Sequence, residues 1–502
     1  MALLGTKTFQ NYIGGEWVDA AGGETFESIS PADGETIGVF PKSGPEDVDR
    51  AVAAAKAAYE EWRLVPAPQR GNILFRYANL LIEEKDALTD LMTHEMGKVR
   101  AEAGGDVQEA IDMSLYMAGE GRRMFGQTTP SELRDKFNMT VRQPIGVVGV
   151  ITPWNFPIAI PSWKIIPALV CGDTVVFKPA TDTPLLGERF VELLVEAGVP
   201  KGVVNVVHGG GGSVGDRLVR HPDVPVITIT GSRETGVEVM RNAADGLKHV
   251  HLELGGKNAI IVLDDADLDL AVEGIVWSAF GTSGQRCTAA SRVIVQEGVS
   301  EALQSRLVDT AERLRLGVGW DDDTDIGPVI NKGALEKIHS YTQIGKDEGA
   351  KLLTGGEVAS GNGLDKGFYY RPTIFGDVDP QMRIAQEEIF GPTTALIPVR
   401  DIDEAIRVSN GIKYGLSSSI FTRDVNKAFR AIRDLQAGIT YVNAGTIGAE
   451  VHLPFGGTKD TGNGHREAGQ AALDVFTEWK SVYVDYSGRL QRAQIDNQQP
   501  AE

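Results

Sequence analysis

From residue 138 onward, short β-branched runs take turns with stretches of helical periodicity, and this alternation constrains the fold more than any other feature. Asn138-Met-Thr-Val-Arg-Gln-Pro-Ile-Gly-Val-Val-Gly-Val-Ile is strand-like. Strands are predicted at 147–151, 174–178, 203–207, 226–230 and 250–254, with helical patterns between them, as at 185–196. A helix between two strands returns the chain to the same end of the sheet, so such units build parallel sheets. A second block repeats the pattern. It runs through 259–263, a helix to about Phe280, 292–295, a helix over 303–314, 350–353, a helix over 402–410, 418–421 and 438–443. The predicted fold class is α/β with two parallel-sheet domains that change over near Gly255-Gly256.

The first 127 residues differ. Gly14-Gly15 is the turn of a hairpin within 11–18. Ser43-Gly-Pro-Glu46 reads as a capping box, with Val48, Val52, Ala55, Tyr59 and Trp62 at helical spacing after it. Residues 66–126 continue as amphipathic helix. The tail, Ser481-Val-Tyr-Val-Asp-Tyr, is one more strand, too late to join either sheet easily.

At 502 residues, two to four structural units are expected. A net charge of −20 leaves no basic face for nucleic acid. Two cysteines, Cys171 and Cys287, make no disulfide framework and point to a reducing, cytoplasmic setting. No apolar run approaches the ~20 residues that cross a bilayer, and the first residues lack a secretory pattern. No metal is expected. Asp265-Ala-Asp-Leu-Asp269 resembles a calcium loop but has Leu270 and Val276 where Gly and Glu are needed, and His249 and His251 lack a third ligand.

Three positions carry chemistry. Cys287 ends the loop Gly281-Thr-Ser-Gly-Gln-Arg-Cys, where backbone N–H groups could stabilise a thiolate and a neighbouring oxyanion. Glu253 stands at a strand end between Leu252 and Leu254, so desolvation should raise its proton affinity, as a general base requires. Asn155, in Thr152-Pro-Trp-Asn-Phe-Pro, follows a strand directly and could donate its amide to an oxyanion. Two glycine clusters compete for a cofactor. Gly210–Gly215 fits G-x-G-x-x-G but lacks the acid expected after the next strand. Gly231-Ser-Arg-Glu-Thr-Gly opens a helix where N–H groups and Ser232 could meet a phosphate.

Taken together these residues resemble the NAD(P)-dependent aldehyde dehydrogenase superfamily over about Tyr12 to Tyr486. The motifs occur in family order: Thr152-Pro-Trp-Asn-Phe-Pro, Lys178-Pro-Ala, Thr230-Gly-Ser, Leu252-Glu-Leu-Gly-Gly-Lys-Asn, Gly284-Gln-Arg-Cys, Glu387-Glu-Ile-Phe-Gly-Pro and Pro454-Phe-Gly-Gly-Thr-Lys. The resemblance implies Rossmann-like domains: coenzyme binding by 1–127 and 145–255, catalysis by 256–456, and a β arm from 128–144 and 477–490. In the family that arm is a hairpin pairing with the tail strand of a neighbouring subunit, which implies a homodimer or homotetramer.

The resemblance also implies roles. Cys287 matches the nucleophile that forms a thiohemiacetal and then, after hydride loss, a thioester. Asn155 and the Cys287 N–H match the oxyanion hole, and Glu253 the base that activates water. Lys178 and Ser232 match ribose and pyrophosphate contacts at the Gly231 turn. Glu388 matches the group holding the nicotinamide ribose, with Thr152, Trp154, Leu254 and Phe390 around it. Thr181 stands where the family often has Glu, which removes a repulsion against a 2′-phosphate, so NADP becomes possible and the expected cofactor is NAD or NADP. The intact Leu252-Glu-Leu-Gly-Gly favours hydrolysis to a free acid over acyl transfer to coenzyme A.

Gly448-Ala-Glu-Val-His-Leu-Pro-Phe-Gly-Gly and Gly284-Gln-Arg-Cys-Thr are similar to branches that oxidise acidic semialdehydes, including 2-oxoglutarate and aminoadipate semialdehyde. Arg122, Arg123 and Arg286 are candidate clamps for a distal carboxylate. Phe156 and Trp163 should frame the tunnel, closed by the loop at 447–451. The alternative within the class is an enzyme of broad aliphatic or sugar-derived aldehyde scope. The alternative from another class, a non-catalytic structural or binding protein on this fold, sits poorly with the presence of Cys287, Glu253 and Asn155 together.

Overall fold

A computed structural model describes residues 7–498. Its first seven-stranded sheet runs in the order His249–Glu253, Val226–Thr230, Val147–Ile151, Thr174–Lys178, Val204–Val206, Asn11–Ile13, Glu16–Val18. The first five are parallel. The amino-terminal hairpin joins antiparallel at the edge. Val147–Ile151 and Thr174–Lys178 are buried at every position. Helices cover both faces of a parallel sheet, which is why these strands read as unbroken apolar runs.

The second sheet runs Lys351–Thr354, Thr373–Gly376, Thr393–Val399, Ala290–Gln296, Asn258–Val262, Ser417–Phe421, Ile439–Val442. All neighbours are parallel except the first pair. Sequence pattern did not reveal Thr373–Gly376 or Thr393–Val399. One is only four residues long and the other carries Pro398 near its end, a residue that argues against a strand. The chain passes from one sheet to the other through the turn 254–257.

Two details depart from expectation. The helix Pro45–Trp62 is capped one residue later than the Ser43 pattern suggests. Gly44 is the cap and Pro45 the first helical residue, where its fixed φ and missing N–H suit the helix start. Asp47 accepts from the Gly44 N–H at 3.1 Å, while Ser43 accepts from Asn11 at 2.8 Å. The tail strand Thr477–Asp485 pairs antiparallel with Lys136–Pro144 of its own chain, from Thr477 opposite Pro144 to Asp485 opposite Lys136. The expected tail pairing with a neighbouring subunit is thus corrected. The turn Gln470–Asp474 packs on the helix Ala159–Cys171 and delivers the tail to its own arm. The arm sheet, completed by Thr128–Pro130, exposes Phe137, Trp479 and Tyr483.

Candidate active site

Two connections at the carboxyl ends of parallel strands, the region where open α/β sheets bind ligands, and one helix-to-strand loop build the site. The strand Val147–Ile151 leads into Thr152-Pro-Trp-Asn155, the strand His249–Glu253 ends on Glu253, and the helix Leu268–Phe280 hands over to the Cys287 loop.

That loop is backbone-strained and heavily tied. Thr282 and Ser283 adopt φ of 51° and 56°, and Gly284 follows at 67°. Left-handed non-glycine residues persist only where neighbours over-determine them. Glu102 does so by accepting the Thr282 N–H at 2.8 and 2.9 Å and its hydroxyl at 3.3 Å. The Ser283 hydroxyl donates to Gly327 O at 2.7 Å, and Gln285 accepts the Ile330 N–H at 2.9 Å. A Cβ on Gly284 would stand 2.1 Å from Gly391 O, so the close approach also requires glycine there.

Asn155 donates to Gln285 O at 3.1 Å, two residues before the thiol. Burial pushes the Cys287 thiol up to about 12, with repulsion from Glu253 and Glu388 adding to it, while the Thr288 N–H pulls the other way. Cys171, by contrast, is a core residue at 1% exposure.

Glu253 is 3% exposed, and neither carboxyl oxygen has a hydrogen-bond partner. Burial raises its carboxyl well above the ordinary range, and the charge of Glu467 adds to the rise. A Cβ on Gly456 would lie 2.8 Å from its Oε1, so that glycine leaves room for the acid. Behind it, Lys164 is ion-paired with Glu467, and His251 stands 4.0 Å from Glu253 and 3.7 Å from Glu467.

Two cavities meet at Cys287. One, of about 250 Å³, is lined by Glu253, Phe156, Trp163, Arg286 and the 447–449 loop. The other, of about 320 Å³, is lined by Trp154, Asn155, Gly231, Ser232, Leu254, Glu388 and Phe390. The Gly256 N–H donates to Glu388 at 2.9 Å, and a Cβ on Gly255 would fall 2.1 Å from the same carboxylate. Trp154 meets Phe390 edge-on with centroids 5.6 Å apart. Ser232 caps the helix Arg233–Ala244. A carboxylate beside a glycine floor, a helix start and flanking aromatic rings fit a ribose and diphosphate with a planar ring.

The structure does not bring every expected residue into these cavities. Thr152, Lys178 and Thr181 line neither. The Lys178 ammonium donates to Pro179 O at 2.7 Å, and Thr181 is exposed on the turn beyond it. Arg122 and Arg123 are corrected as substrate clamps. Both are exposed past the end of the helix Arg100–Glu120, where Arg122 donates to Asn72 at 3.3 Å and Arg123 pairs with Glu120 at 2.6 Å. Arg286 does line the substrate cavity, but paired with Glu102 at 2.9 Å and stacked near Trp277 and Phe156. Sequence reasoning missed Glu102, Glu109, Lys164 and Glu467. The first two had a signal, since acids at 102, 106 and 109 share one helix face.

A half-buried thiol, an amide tied to its loop and an acid without a donor, set where two α/β sheets meet, define an enzyme of covalent cysteine catalysis. The sequence model of the aldehyde dehydrogenase family matches residues 17–482. The alpha-ketoglutaric semialdehyde dehydrogenase of Bacillus subtilis is 43% identical over 480 residues, covering 95% of this chain and 98% of that protein. The alpha-ketoglutarate semialdehyde dehydrogenase of Haloferax volcanii is 44% identical over 484 residues, covering 96% and 100%. A crystal structure of betaine aldehyde dehydrogenase from Staphylococcus aureus in complex with NAD+ superposes with a TM-score of 0.94 at 36% identity, covering 96% of both chains. This chain belongs to the aldehyde dehydrogenase family.

Proposed function

We propose that this chain oxidises a small acidic semialdehyde to the carboxylic acid with NAD or NADP, through covalent intermediates on Cys287. The observation that carries the reading is Glu253, a buried acid without a hydrogen-bond donor, sharing one cavity with the Cys287 thiol. The names of the relatives support the semialdehyde class, and a cavity of about 250 Å³ suits a small aldehyde.

The chemistry follows from these groups. The Cys287 sulfur attacks the aldehyde carbon as its proton passes to solvent water, and the carbonyl oxygen becomes an oxyanion. The Asn155 amide and the Cys287 N–H donate to that oxygen, an interaction strongest when its charge is greatest. Trp154, Ser232, Leu254, Glu388 and Phe390 would hold a dinucleotide in the second cavity, and that group would supply a hydride acceptor. With that acceptor in place, the adduct would give up a hydride and remain on Cys287 as an acyl thioester. Glu253 takes a proton from water, the oxygen adds to the thioester carbon, and the thiolate departs. The raised proton affinity of Glu253 makes it a stronger base than an exposed carboxylate.

The assignments of 1–127 and 145–255 to coenzyme binding, 256–456 to catalysis, and 128–144 with 477–490 to the arm belong to the same reading. So does a homodimer or homotetramer, supported by the exposed Trp479 and Tyr483 on the arm. A cytoplasmic setting is supported by two free thiols, one of which must stay reduced to act.

The test is reduced-coenzyme formation across a panel of aldehydes, with NAD and NADP in parallel and Cys287→Ala as control. Activity concentrated on acidic semialdehydes is expected, with loss of about 10⁴-fold or more in the variant. Equal activity on neutral aldehydes would discard the substrate class, and a fully active variant would discard the nucleophile.

A further inference from the structure

The helix Arg100–Glu120 turns three carboxyl groups toward the substrate cavity, Glu102, Asp106 and Glu109. Two of them are committed. Glu102 holds the nucleophile loop and Arg286. Asp106 pairs with the buried Lys98 at 2.7 Å and accepts the Ala159 N–H at 2.7 Å. Glu109 has no hydrogen bond or ion pair among the described residues, yet it lines the same cavity as Cys287. Because Arg286 is committed to Glu102, the cavity wall holds no free cation among the described residues to meet the far end of an acidic substrate.

We propose that Glu109 is a specificity-determining residue whose carboxyl meets the distal oxygen atoms of the semialdehyde bound at Cys287. The inference rests on the substrate class proposed above. At neutral pH the group is a donor. Burial, first, and the charge of Asp106, second, push its carboxyl up to about 8. Lys98 and Arg286 act in the opposite direction, and Asp112 on the next turn adds to the rise. From other elements, Cys287 and Tyr441 feel Glu109's charge, and Glu450 acts on Tyr441 as well. A neutral carboxyl can donate O–H to a carboxylate. Once ionised it repels the same group, so the site releases acidic substrates as pH rises past about 8.

The experiment compares KM and kcat for glutarate semialdehyde, pentanal of equal chain length and betaine aldehyde, from about pH 6.5 to about 9.5, in the wild type, Glu109→Gln and Glu109→Ala. In the wild type, KM for glutarate semialdehyde should climb above about pH 8 while that for pentanal stays level. Glu109→Gln, which keeps a donor but cannot ionise, should hold the low KM across the range. Glu109→Ala should raise it about ten- to hundredfold at neutral pH with kcat kept, the loss of a hydrogen bond to a charged group. The proposal is overturned if the climb persists in Glu109→Gln, or if Glu109→Ala weakens pentanal equally. It is also overturned if Glu109→Gln weakens betaine aldehyde at every pH while improving the semialdehyde, since the group would then act as a fixed anion. A wild type indifferent between glutarate semialdehyde and pentanal at neutral pH would sink the substrate class itself, a separate outcome from failure of Glu109 alone.

Discussion

Glu102 and Glu253 line the same cavity, and both are almost inaccessible to water, at 8% and 3% exposure. Glu102 is saturated: it takes the Thr282 N–H and hydroxyl and pairs with Arg286. Glu253 has nothing within hydrogen-bonding reach. The difference separates a carboxylate that shapes a site from one that acts in it. Donors fix a carboxylate in place, whereas burial without donors leaves Glu253 with a raised proton affinity. The two acids differ in what their loss should do to stability, so each can be altered to test the other.

Glu253→Gln should cut steady-state turnover by about 10²- to 10⁴-fold, the range of a lost general base. Its stability should not fall. The folded protein holds the Glu253 proton more tightly than the unfolded chain does. Ionisation therefore favours unfolding as pH rises above the ordinary carboxylate range. Thermal melts should show Glu253→Gln gaining on the wild type at pH 9 relative to pH 5, and an equal difference at both would remove the raised proton affinity from the account.

Glu102→Gln should instead lower stability. Removing one partner of a largely buried pair costs about 3–5 kcal/mol, read as a lower melting temperature in a calorimeter. Activity should fall as well, because Thr282 and Ser283 lose the contacts that hold their left-handed backbone. Adding Arg286→Gln to Glu102→Gln should recover part of the stability. No recovery would show that the loop contacts, rather than the ion pair, dominate.

The smallest effect concerns the thiol at rest. Its proton is held up to about 12, so the thiolate fraction grows with pH throughout the accessible range. Alkylation of Cys287 by iodoacetamide in the free protein should accelerate about tenfold per pH unit between neutral pH and pH 10, with Cys171 protected by the core. A plateau near neutral pH would mean that a neighbouring group already takes the proton.

Much of this site was legible in the sequence because it is built from local segments. Glu253 ends a strand, Asn155 and Cys287 lie in the short loops after a strand and a helix, and each sits in a short motif whose residue types suit its chemistry. The strands buried on both faces were equally legible, because burial on both sides forces continuous apolar runs. What sequence could not show depends on folding. Arg122 and Arg123 follow the helix that forms the cavity wall, but they lie one turn past its end and point to solvent. Arg286 sits in the right place, yet its commitment to Glu102 joins residues 184 positions apart. Thr393–Val399 was hidden by its proline, and the tail's partner by the absence of any local signal for strand pairing.

The most direct test of the two-acid account is the mass of the intact Glu253→Gln protein after mixing with a semialdehyde and coenzyme. The account predicts one acyl group held on Cys287, formed with a stoichiometric burst of reduced coenzyme and released slowly, and no adduct on Cys287→Ala. An unmodified protein that still turns over at the wild-type rate would contradict it, because another group would then be activating the water.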